Sequence, residues 1–418
     1  MSKRTIAAAL AALWVLATAA AGASAGQEQW LGYRSAGQAF GYVGYSPGQT
    51  VAGRPAPPEG VALPKFTGKP LFALWKVDVV KLTGPAARDG GLWMALARSG
   101  KSRGAYDTLY LDANGNGSLA DERPIPAEHT YVDWKNPDGT VTSTSFGTIR
   151  LALPGNDGTI AYHAGFHYQR QGDGPHNITV SASCWYEGVV VIAGRRMMCS
   201  LIDCNANWRF GERSTGKDPC DGYVLRPFLT GMGPQELADA AWTPLGQYVR
   251  VGGKYYTMDI APDGATVALS PAAPAMGRIV PGRDVTSLRI TGPAGTFDLG
   301  ATNGRFEAPE GEYRLKDYEV AQHGADGNTW RIRSRGKGKD KPIVVRADAA
   351  AALPVGGPFV WRLTASRRPN GRHIVSLTLR DRGGATGTLT CNERRPLMRV
   401  RIANSDKTYD RTFSLEYG

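Results

Sequence analysis

Oxygen-bearing side chains recur at alternate positions in a short polar stretch that follows the apolar run Leu109–Leu111. Aspartate, asparagine and asparagine occupy its positions 1, 3 and 5, glycine position 6, serine position 7 and aspartate position 10. This alternation turns the oxygens toward one point, and the glycine allows the sharp bend. A hard cation such as Ca²⁺ collects about six to eight oxygens in this way. The candidate ligands are Asp112, Asn114, Asn116, Ser118 and Asp121.

A second stretch, after the apolar run Ser200–Ile202, repeats this design further along the chain. Alignment of its first aspartate with Asp112 places a glutamate at position 10 and Phe210 at position 8, where the first stretch has Leu119. Two matches in one chain are stronger evidence for ion binding than either alone. The competing interpretation is a pair of Asn- and Asp-rich turns whose side chains only cap the backbone. The candidate ligands here are Asp203, Asn205, Asn207, Arg209 and Glu212.

Both stretches resemble the calcium loops of the EF-hand and dockerin group, whose pattern is D-x-[DN]-x-[DN]-G. The resemblance covers only about ten to twelve residues at each place. It departs from that group at position 12, where Arg123 and Ser214 replace the bidentate glutamate, and Trp208 replaces the turn glycine. Pro124 and Pro126 also prevent the helix that follows an EF-hand loop. With two neutral Asn ligands in each loop, we expect weak calcium sites of about 10⁻⁴–10⁻³ M that act as structural staples.

The chain is also similar to large, uncharacterised exported β-rich proteins of environmental bacteria, which carry such loops after β-strands. Those proteins often end in a tail like Phe413–Gly418. The similarity implies export and structural calcium, but it implies no known activity.

The segments around the two stretches predict β-strands nearly throughout, because β-branched and aromatic residues alternate with polar ones between turn residues. We therefore expect an all-β, mainly antiparallel, multidomain fold with few short helices, at Pro234–Ala240 and Asp348–Leu353. Gly311–Leu315 resembles the G-x-Y strands of immunoglobulin-like or prealbumin-like modules, which implies a β-sandwich in the C-terminal region. The clearest predicted strands are Thr108–Leu111, Thr140–Phe146, Val189–Ala193, Tyr255–Ile260, Thr266–Leu269, Ser287–Thr291, Glu312–Ala321, Trp330–Ser334, Ile343–Ala347, Phe359–Ala365 and Ile374–Arg380.

Residues 1–25 have the pattern of a secretory signal peptide. Lys3 and Arg4 precede an apolar stretch, and Ala23–Ala25 supplies the small-residue cleavage site, so the mature chain begins near Gly26. We expect an exported protein, periplasmic or extracellular, without a transmembrane segment after cleavage.

Charge divides the rest of the chain into two regions, 26–275 and 276–418. The formal net charge is +12, and residues 278–418 hold 25 Lys and Arg against 15 Asp and Glu, whereas the region before them is balanced. The basic excess, with the run Arg331–Lys341, predicts an anionic polymer or a cell-envelope component as the partner. A solvated hairpin is the alternative. Aromatic interleaving is limited to Trp330, which argues against nucleic acid.

The cysteines and histidines leave two further interpretations open. Cys184, Cys199, Cys204 and Cys220 cluster within 37 residues, and in an exported chain we expect structural disulfides among them, with three pairings open. We interpret the separate Cys391 as a buried thiol. His163, His167 and His176 would lie on one hairpin face if the strand prediction holds, and such a face could bind Zn²⁺. We favour a half-exposed polar strand there.

The sequence therefore favours an exported, calcium-stabilised, non-catalytic envelope or extracellular protein that binds or scaffolds a partner. The alternative is a periplasmic or secreted metal-assisted hydrolase acting on glycan, peptide or ester, through an oxygen-liganded metal or the histidine hairpin. No catalytic residue is singled out by the sequence, and no dinucleotide fingerprint or P-loop is present.

Overall fold

The structure is a computed structural model that describes residues 26–35, 48–78, 80–100, 105–133, 140–155, 158–216, 220–229, 242–302, 305–336, 341–368, 371–406 and 408–415. The chain forms two compact units, Met1–Ala272 (unit 1) and Ala273–Gly418 (unit 2). The predicted signal peptide, the predicted helix Pro234–Ala240 and the end of the C-terminal tail lie outside the described residues.

Unit 1 consists of short antiparallel strands and one helix, α1 (Gly84–Asp89). Its strands are β1 (Glu28–Trp30), β2 (Gly32–Ser35), β3 (Gly48–Ala52), β4 (Leu71–Lys76), β5 (Gly91–Ala97), β6 (Thr108–Leu111), β7 (Ile125–Pro126), β8 (His129–Asp133), β9 (Val141–Pro154), β10 (Thr159–Gln171), β11 (Asn177–Ala182), β12 (Cys184–Ile192), β13 (Arg195–Ile202), β14 (Gly222–Pro227), β15 (Thr243–Pro244), β16 (Val249–Val251), β17 (Lys254–Ile260) and β18 (Thr266–Ala272).

Four sheets of unit 1 enclose two main cores. The sheet β4-β5-β6-β7 packs on the sheet β3-β11-β10-β9-β8 through apolar side chains such as Trp75, Leu109 and Tyr162. The sheet β15-β14-β13-β12-β2 packs on the sheet β1-β18-β17-β16 around a second core that includes Leu201 and Met258. The ends of β6 and β13 carry the two candidate loops, so each loop begins where a buried strand leaves a core.

Unit 2 contains the remaining strands, which form an eight-stranded sheet, a three-stranded sheet and a two-stranded hairpin. The eight-stranded sheet has the order β21-β20-β23-β24-β29-β28-β27, with β25 paired to β23; β22-β19-β26 and β30-β31 form the other two. The strands are β19 (Met276–Pro281), β20 (Val285–Gly292), β21 (Gly295–Gly300), β22 (Phe306–Pro309), β23 (Gly311–His323), β24 (Thr329–Arg335), β25 (Ile343–Val345), β26 (Ala350–Leu353), β27 (Val360–Arg367), β28 (His373–Arg380), β29 (Thr386–Cys391), β30 (Arg399–Ala403) and β31 (Asp410–Ser414).

The all-β, mainly antiparallel fold is confirmed, and every predicted strand overlaps an observed one. The predicted helix at Asp348–Leu353 is wrong, because its residues 350–353 pair in parallel with β19 as strand β26. The helix α1, the one observed in the described residues, was not predicted; Pro85 lies in its first turn and Gly90, at φ 65°, ends it. Within the described ranges, no helix is long and apolar enough to span a membrane.

Candidate metal centres in unit 1

Loop 1 is residues 112–121, and its first aspartate is enclosed by the backbone of the loop itself. Asp112 is fully buried. Its Oδ1 accepts the Asn116 N–H at 3.0 Å, and its Oδ2 accepts the Gly117 N–H at 2.9 Å. Burial raises the pKa of this carboxyl above its usual range, while those backbone donors lower it. The carboxylate of Asp112 therefore lies inside the turn and holds it in place by these two hydrogen bonds.

The other polar side chains of loop 1 converge on one carboxylate oxygen. The side-chain amides of Asn114 and Asn116 donate to Asp121 Oδ2 at 3.1 and 2.9 Å. Hydrogen bonds from the Ser118 hydroxyl and from these two amides lower the pKa of Asp121 to about 2. Four of the predicted ligands thus surround the exposed mouth of the loop, with the position-10 carboxylate ionised.

Loop 1 is held in place by close packing at two positions. Leu119, at position 8, is fully buried in a small core with Phe72 and Trp93. Gly117 has φ 75°, and a Cβ built there would lie 2.6 Å from Pro85 and 2.8 Å from the Ala86 nitrogen of α1. Only glycine therefore fits position 6 of this loop.

Loop 2 is residues 203–212, and it repeats this arrangement at the end of β13. Asp203 Oδ1 accepts the Asn207 N–H at 3.2 Å, and Oδ2 accepts the Trp208 N–H at 2.7 Å. The side-chain amides of Asn205 and Asn207 both donate to Glu212 Oε2 at 2.7 Å. The residues at positions 1, 3, 5 and 10 therefore make corresponding hydrogen bonds in both loops.

The two loops also share their backbone conformation. Gly115 and Gly117, at positions 4 and 6 of loop 1, have φ values of 68° and 75°. Ala206 and Trp208 occupy the same positions of loop 2 with φ values of 53° and 73°. A left-handed conformation costs about 1–2 kcal/mol in a residue with a side chain. Loop 2 therefore keeps a backbone conformation that Ala206 and Trp208, as residues with side chains, disfavour.

Aromatic packing holds Trp208 in this strained conformation. Its ring stacks on Tyr162 with centroids 4.8 Å apart, and it packs on Trp75 at 5.9 Å. The Trp75 indole N–H donates to the Ala206 carbonyl at 2.6 Å. These contacts explain how tryptophan replaces the turn glycine expected from the calcium-loop pattern.

The position-7 residues of the two loops have different side chains but share a backbone contact, because each donates its N–H to Oδ1 of the position-5 asparagine. The Ser118 hydroxyl accepts the Ala120 N–H at 3.2 Å. Arg209 is exposed, and its N–H donates to Asn207 Oδ1 at 3.0 Å.

Two carboxylates outside loop 2 belong to the same cluster and were missed by the sequence analysis. Asp78 Oδ2 accepts the Asn207 amide at 3.3 Å, and Asp221 Oδ2 accepts the Glu212 N–H at 2.8 Å. Asp78 is 129 positions from Asn207, whereas Asp221 follows Glu212 by nine positions and lies outside the ten-residue loop pattern, so the pattern includes neither. Glu122, which accepts the Ala113 N–H at 2.7 Å, was likewise not assigned a role in loop 1.

The interior of loop 2 holds carboxyl groups whose ionised forms its hydrogen bonds do not fully stabilise. Burial raises the pKa of Asp203 to about 6. Burial, together with the charges of Asp203 and Glu212, raises the pKa of Asp221 to about 8. Asp221 Oδ1 and Asn205 Oδ1 are both buried without a hydrogen-bond partner. Unsatisfied buried oxygens beside like charges are the environment that a cation stabilises.

The chemistry available to both loops is the capping of a turn or the coordination of a hard cation. The Asn oxygens of loop 1 accept the N–H groups of Asn116 and Ser118, at 3.0 and 2.7 Å. Rotation of such an amide exchanges its oxygen and nitrogen ends, which would point the oxygens at the position-10 carboxylate side of the loop. Among the described residues, no three His, Cys, Asp or Glu side chains converge as metal ligands. The two loops bring Asn oxygens instead.

The predicted disulfides among the four clustered cysteines do not form, since every cysteine is a free thiol. Cys184 and Cys204 lie in the core around Trp75, whereas Cys199 lies in the other core of unit 1. Cys199 lies within β13, whereas Cys184 begins β12 and Cys204 follows the end of β13, so closeness in sequence did not pair these thiols. Cys220 and Cys391 are half-buried.

The three candidate zinc ligands contact three different partners. His163 Nδ1 lies 2.6 Å from the Tyr33 hydroxyl, and His176 Nδ1 lies 2.8 Å from the Tyr168 hydroxyl. His167 Nε2 lies 3.3 Å from the hydroxyl of Ser143. Burial lowers the pKa of all three histidines. Each histidine therefore has a different hydrogen-bond partner.

The basic run of unit 2 is partly neutralised by acidic neighbours. Arg333 Nε lies 2.6 Å from Glu319 Oε2, and Arg331 pairs with both Glu319 and Glu393. Residues 337–340 of this run lie outside the described residues. Arg333 and Arg335 of this run nevertheless remain exposed.

Comparison of the chain with protein families, with curated proteins and with solved structures finds no match. Function is therefore argued from the side chains alone.

Proposed function

We propose that this chain is an exported, non-catalytic binding or scaffold protein of the cell envelope or extracellular space, and that calcium stabilises its unit 1. The supporting observation is the shared geometry of the two loops. Both place two Asn side chains on a position-10 carboxylate and use the same left-handed positions. Loop 2 keeps this geometry despite the strain at Ala206 and Trp208, and such strain often marks a functional site.

Loop 2 is the better cation site of the two. The ion would be held by oxygens of Asp203, Asn205 and Glu212, and its charge would offset the additional carboxylates of Asp78 and Asp221. The buried, unpartnered oxygens of Asn205 and Asp221 favour this arrangement. Weak sites suffice outside the cell, where calcium-binding modules have dissociation constants of about 10⁻⁴–10⁻³ M.

The binding role is assigned to unit 2, whose basic excess suits an anionic component of the envelope. The hydrolase alternative has less support, because the histidines proposed for it are engaged separately.

The test is thermal unfolding of the mature chain with calcium, with magnesium and with EDTA. At about 100 times its dissociation constant, a ligand stabilises by about 2.7 kcal/mol per site. For a unit of this size we expect calcium to raise Tm by about 5–10 °C for each occupied site. Magnesium should have a smaller effect, because it requires a stricter octahedral shell.

Matched variants assign the effect to the loops. Asp121→Asn and Glu212→Gln should each remove part of the calcium-dependent shift and together most of it. Asp263→Asn changes a carboxylate that only caps the β17–β18 turn, by accepting the Ala265 N–H at 3.0 Å, and should keep the full shift. If calcium and EDTA give the same Tm, both loops are capped turns and the proposal fails.

A further inference from the structure

The eight-stranded sheet of unit 2 ends in a strand that is exposed along its whole length. β27 is the last strand in the sheet order, and it pairs with β28 from Val360 to Arg367 in an unbroken register. Within the described ranges, no strand pairs with the other side of β27. The strand at the opposite end of the sheet, β21, has three buried residues among its six. β27 is therefore the more open of the two edges of this sheet.

The hydrogen bonds of the β27–β28 hairpin determine which backbone groups of β27 face outward. Where the hairpin closes, Arg368 donates its N–H to the Arg372 carbonyl at 2.7 Å. Successive residues of an antiparallel strand direct their backbone groups to alternate sides. The even-numbered residues of β27 therefore bond to β28, whereas the odd-numbered ones direct their N–H and C=O groups to the free edge, where an extended backbone can pair with them. The odd-numbered residues are Trp361, Leu363, Ala365 and Arg367.

The side chains of β27 divide between the two faces of the sheet in the same alternation. Trp361 and Leu363 lie on one face, whereas Val360 and Arg362 lie on the other. Val360, Trp361 and Leu363 are 62%, 43% and 54% exposed, so both faces carry exposed apolar side chains at this edge. The strand has no proline and no lysine, two of the residues that protect an open edge from pairing. β27 is therefore a template for an additional strand.

The apolar side chains of β27 match a second copy of the same strand. When two copies pair antiparallel about a two-fold axis at Leu363, this leucine lies opposite its own copy, and Trp361 lies opposite Ala365 of the second copy. All three residues also direct their backbone groups to the free edge, so hydrogen bonds and apolar contacts form in the same register. Apolar cross-strand pairs of this kind stabilise a sheet.

The charged side chains are compatible with the same register. Arg362 lies opposite Thr364 of the second copy, and no arginine faces an arginine. An axis at Arg362 would set this arginine opposite its own copy, and like charges directly opposite destabilise the pair. An axis at Thr364 would place Arg367 opposite Trp361 and would lose the leucine pair. The side chains therefore favour the axis at Leu363.

We propose that two copies of this chain join edge to edge along β27, so that their eight-stranded sheets become one continuous sheet. Such a dimer involves unit 2 and does not depend on calcium at unit 1. The occupant is a second copy, because the outward backbone groups, the apolar pairs and the charges of β27 all agree at one register of the strand with itself. The contact uses the β27 edge of both copies, so association ends at the dimer.

The experiment is sedimentation velocity of the full mature chain over a concentration series, in EDTA throughout so that calcium does not contribute. We expect a reversible equilibrium between monomer and dimer. Residues 278–418 carry 25 Lys and Arg against 15 Asp and Glu in each copy, so the two copies repel one another. Raising the salt from about 0.05 M to about 0.3 M should therefore strengthen the dimer, because salt screens this repulsion. A monomer at every concentration and at both salt levels would overturn the proposal.

Leu363→Pro tests the backbone contact at the centre of the dimer. It removes an N–H that faces the free edge and keeps the N–H groups that bond to β28, and edge strands tolerate proline at such positions. Leu363→Ser is the matched control, since it removes the same side chain and keeps the N–H. We expect Leu363→Pro to abolish the dimer in the measured range and Leu363→Ser to weaken it by less. A dimer that Leu363→Pro leaves intact would belong to another surface and would overturn the proposal.

Cross-linking tests the register without depending on either variant. Opposed residues of a hydrogen-bonded antiparallel pair have Cα atoms about 5.5 Å apart, which is within the range of about 4.4–6.8 Å that a disulfide spans. Oxidised glutathione should therefore link Leu363→Cys to its own copy, with two protein thiols oxidised and one glutathione disulfide reduced to two thiols. The wild-type chain gives the background from its five native cysteines.

Ala365→Cys is the control for this register, because its two copies would lie about 14 Å apart. We expect a covalent dimer from Leu363→Cys and none above background from Ala365→Cys. Equal cross-linking of the two variants, or none of either, would overturn the proposal.

Discussion

Tyr162 donates its hydroxyl hydrogen to Asp203 Oδ2 at 2.8 Å, and the same oxygen accepts the backbone N–H of Trp208 at 2.7 Å. The Tyr162 ring stacks on the Trp208 ring with an interplanar angle of 13°. One residue of strand β10 therefore supports both the first ligand position of loop 2 and its strained position 6. The loop is supported by the core of unit 1 as well as by its own turn.

Tyr162→Phe should destabilise the folded chain more than Tyr168→Phe on the same strand. Loss of a buried hydrogen bond to a carboxylate costs about 1.5–3 kcal/mol, whereas a bond to a neutral partner such as His176 contributes about 0.5–1.5 kcal/mol. Urea unfolding in EDTA measures both. Equal losses would show that the hydrogen bond from the Tyr162 hydroxyl to Asp203 contributes no more than the hydrogen bond between Tyr168 and His176.

Asp203 and Asp221 should lower the stability of the calcium-free chain as the pH rises from about 4 to about 8, whereas the three histidines of lowered pKa act in the opposite direction below about pH 6.5. Asp203 and Asp221 hold their protons up to about pH 6 and about pH 8 in the folded chain, but lose them near pH 4 when unfolded. In this window the folded state binds more protons at these two carboxyl groups, so their contribution to the free energy of unfolding falls as the pH rises.

Asp221→Asn isolates this effect, because the histidines and other titrating groups are the same in both proteins. The variant should lose less stability than the wild type between about pH 5 and about pH 8. Urea midpoints in EDTA at several pH values check this, and parallel curves for the two proteins would contradict it.

Gly117→Ala should destabilise unit 1 through both strain and contact. The left-handed φ costs about 1–2 kcal/mol with a side chain, and the new methyl would lie within 3 Å of Pro85 and Ala86. Gly253→Ala is the control, since Gly253 has φ 82° but no atom within 4 Å of its added Cβ. The denaturant midpoint should shift clearly more for Gly117→Ala than for Gly253→Ala. Equal shifts would show that the contact of the new methyl with α1 does not contribute to the loss of stability.

Thiol titration of the mature chain should give five free cysteines after unfolding without reductant. In the native protein Cys184 and Cys199 should react very slowly, because both are buried and burial raises the pKa of each to about 12. A count of three or one after unfolding would show that the chain forms disulfides that its folded geometry does not require.

The strands were predictable because their alternation is local, as in Thr108–Leu111, which is observed with the predicted bounds. The loop ligands were predictable for the same reason, since each lies within ten residues of its partners. Asp78 and Tyr162 were not, because the sheets bring them to loop 2 from distant parts of the chain, and Asp221 was not, because it follows the loop pattern at a position that the pattern does not include. The disulfide prediction failed on a related point: the spacing of Cys184, Cys199 and Cys204 does not reveal which core each thiol enters.

The first strand of unit 1 pairs with its last. Glu28 of β1 accepts a hydrogen bond from Thr266 of β18, 238 positions later, and Gly26 donates its N–H to the Ser270 hydroxyl. A ribosome adds about 5–20 residues per second, so this sheet is completed tens of seconds after β1 is made. Contacts this distant in sequence also form slowly. Unit 1, whose first and last strands close the same sheet, therefore cannot complete this sheet until nearly all of its residues have been synthesised.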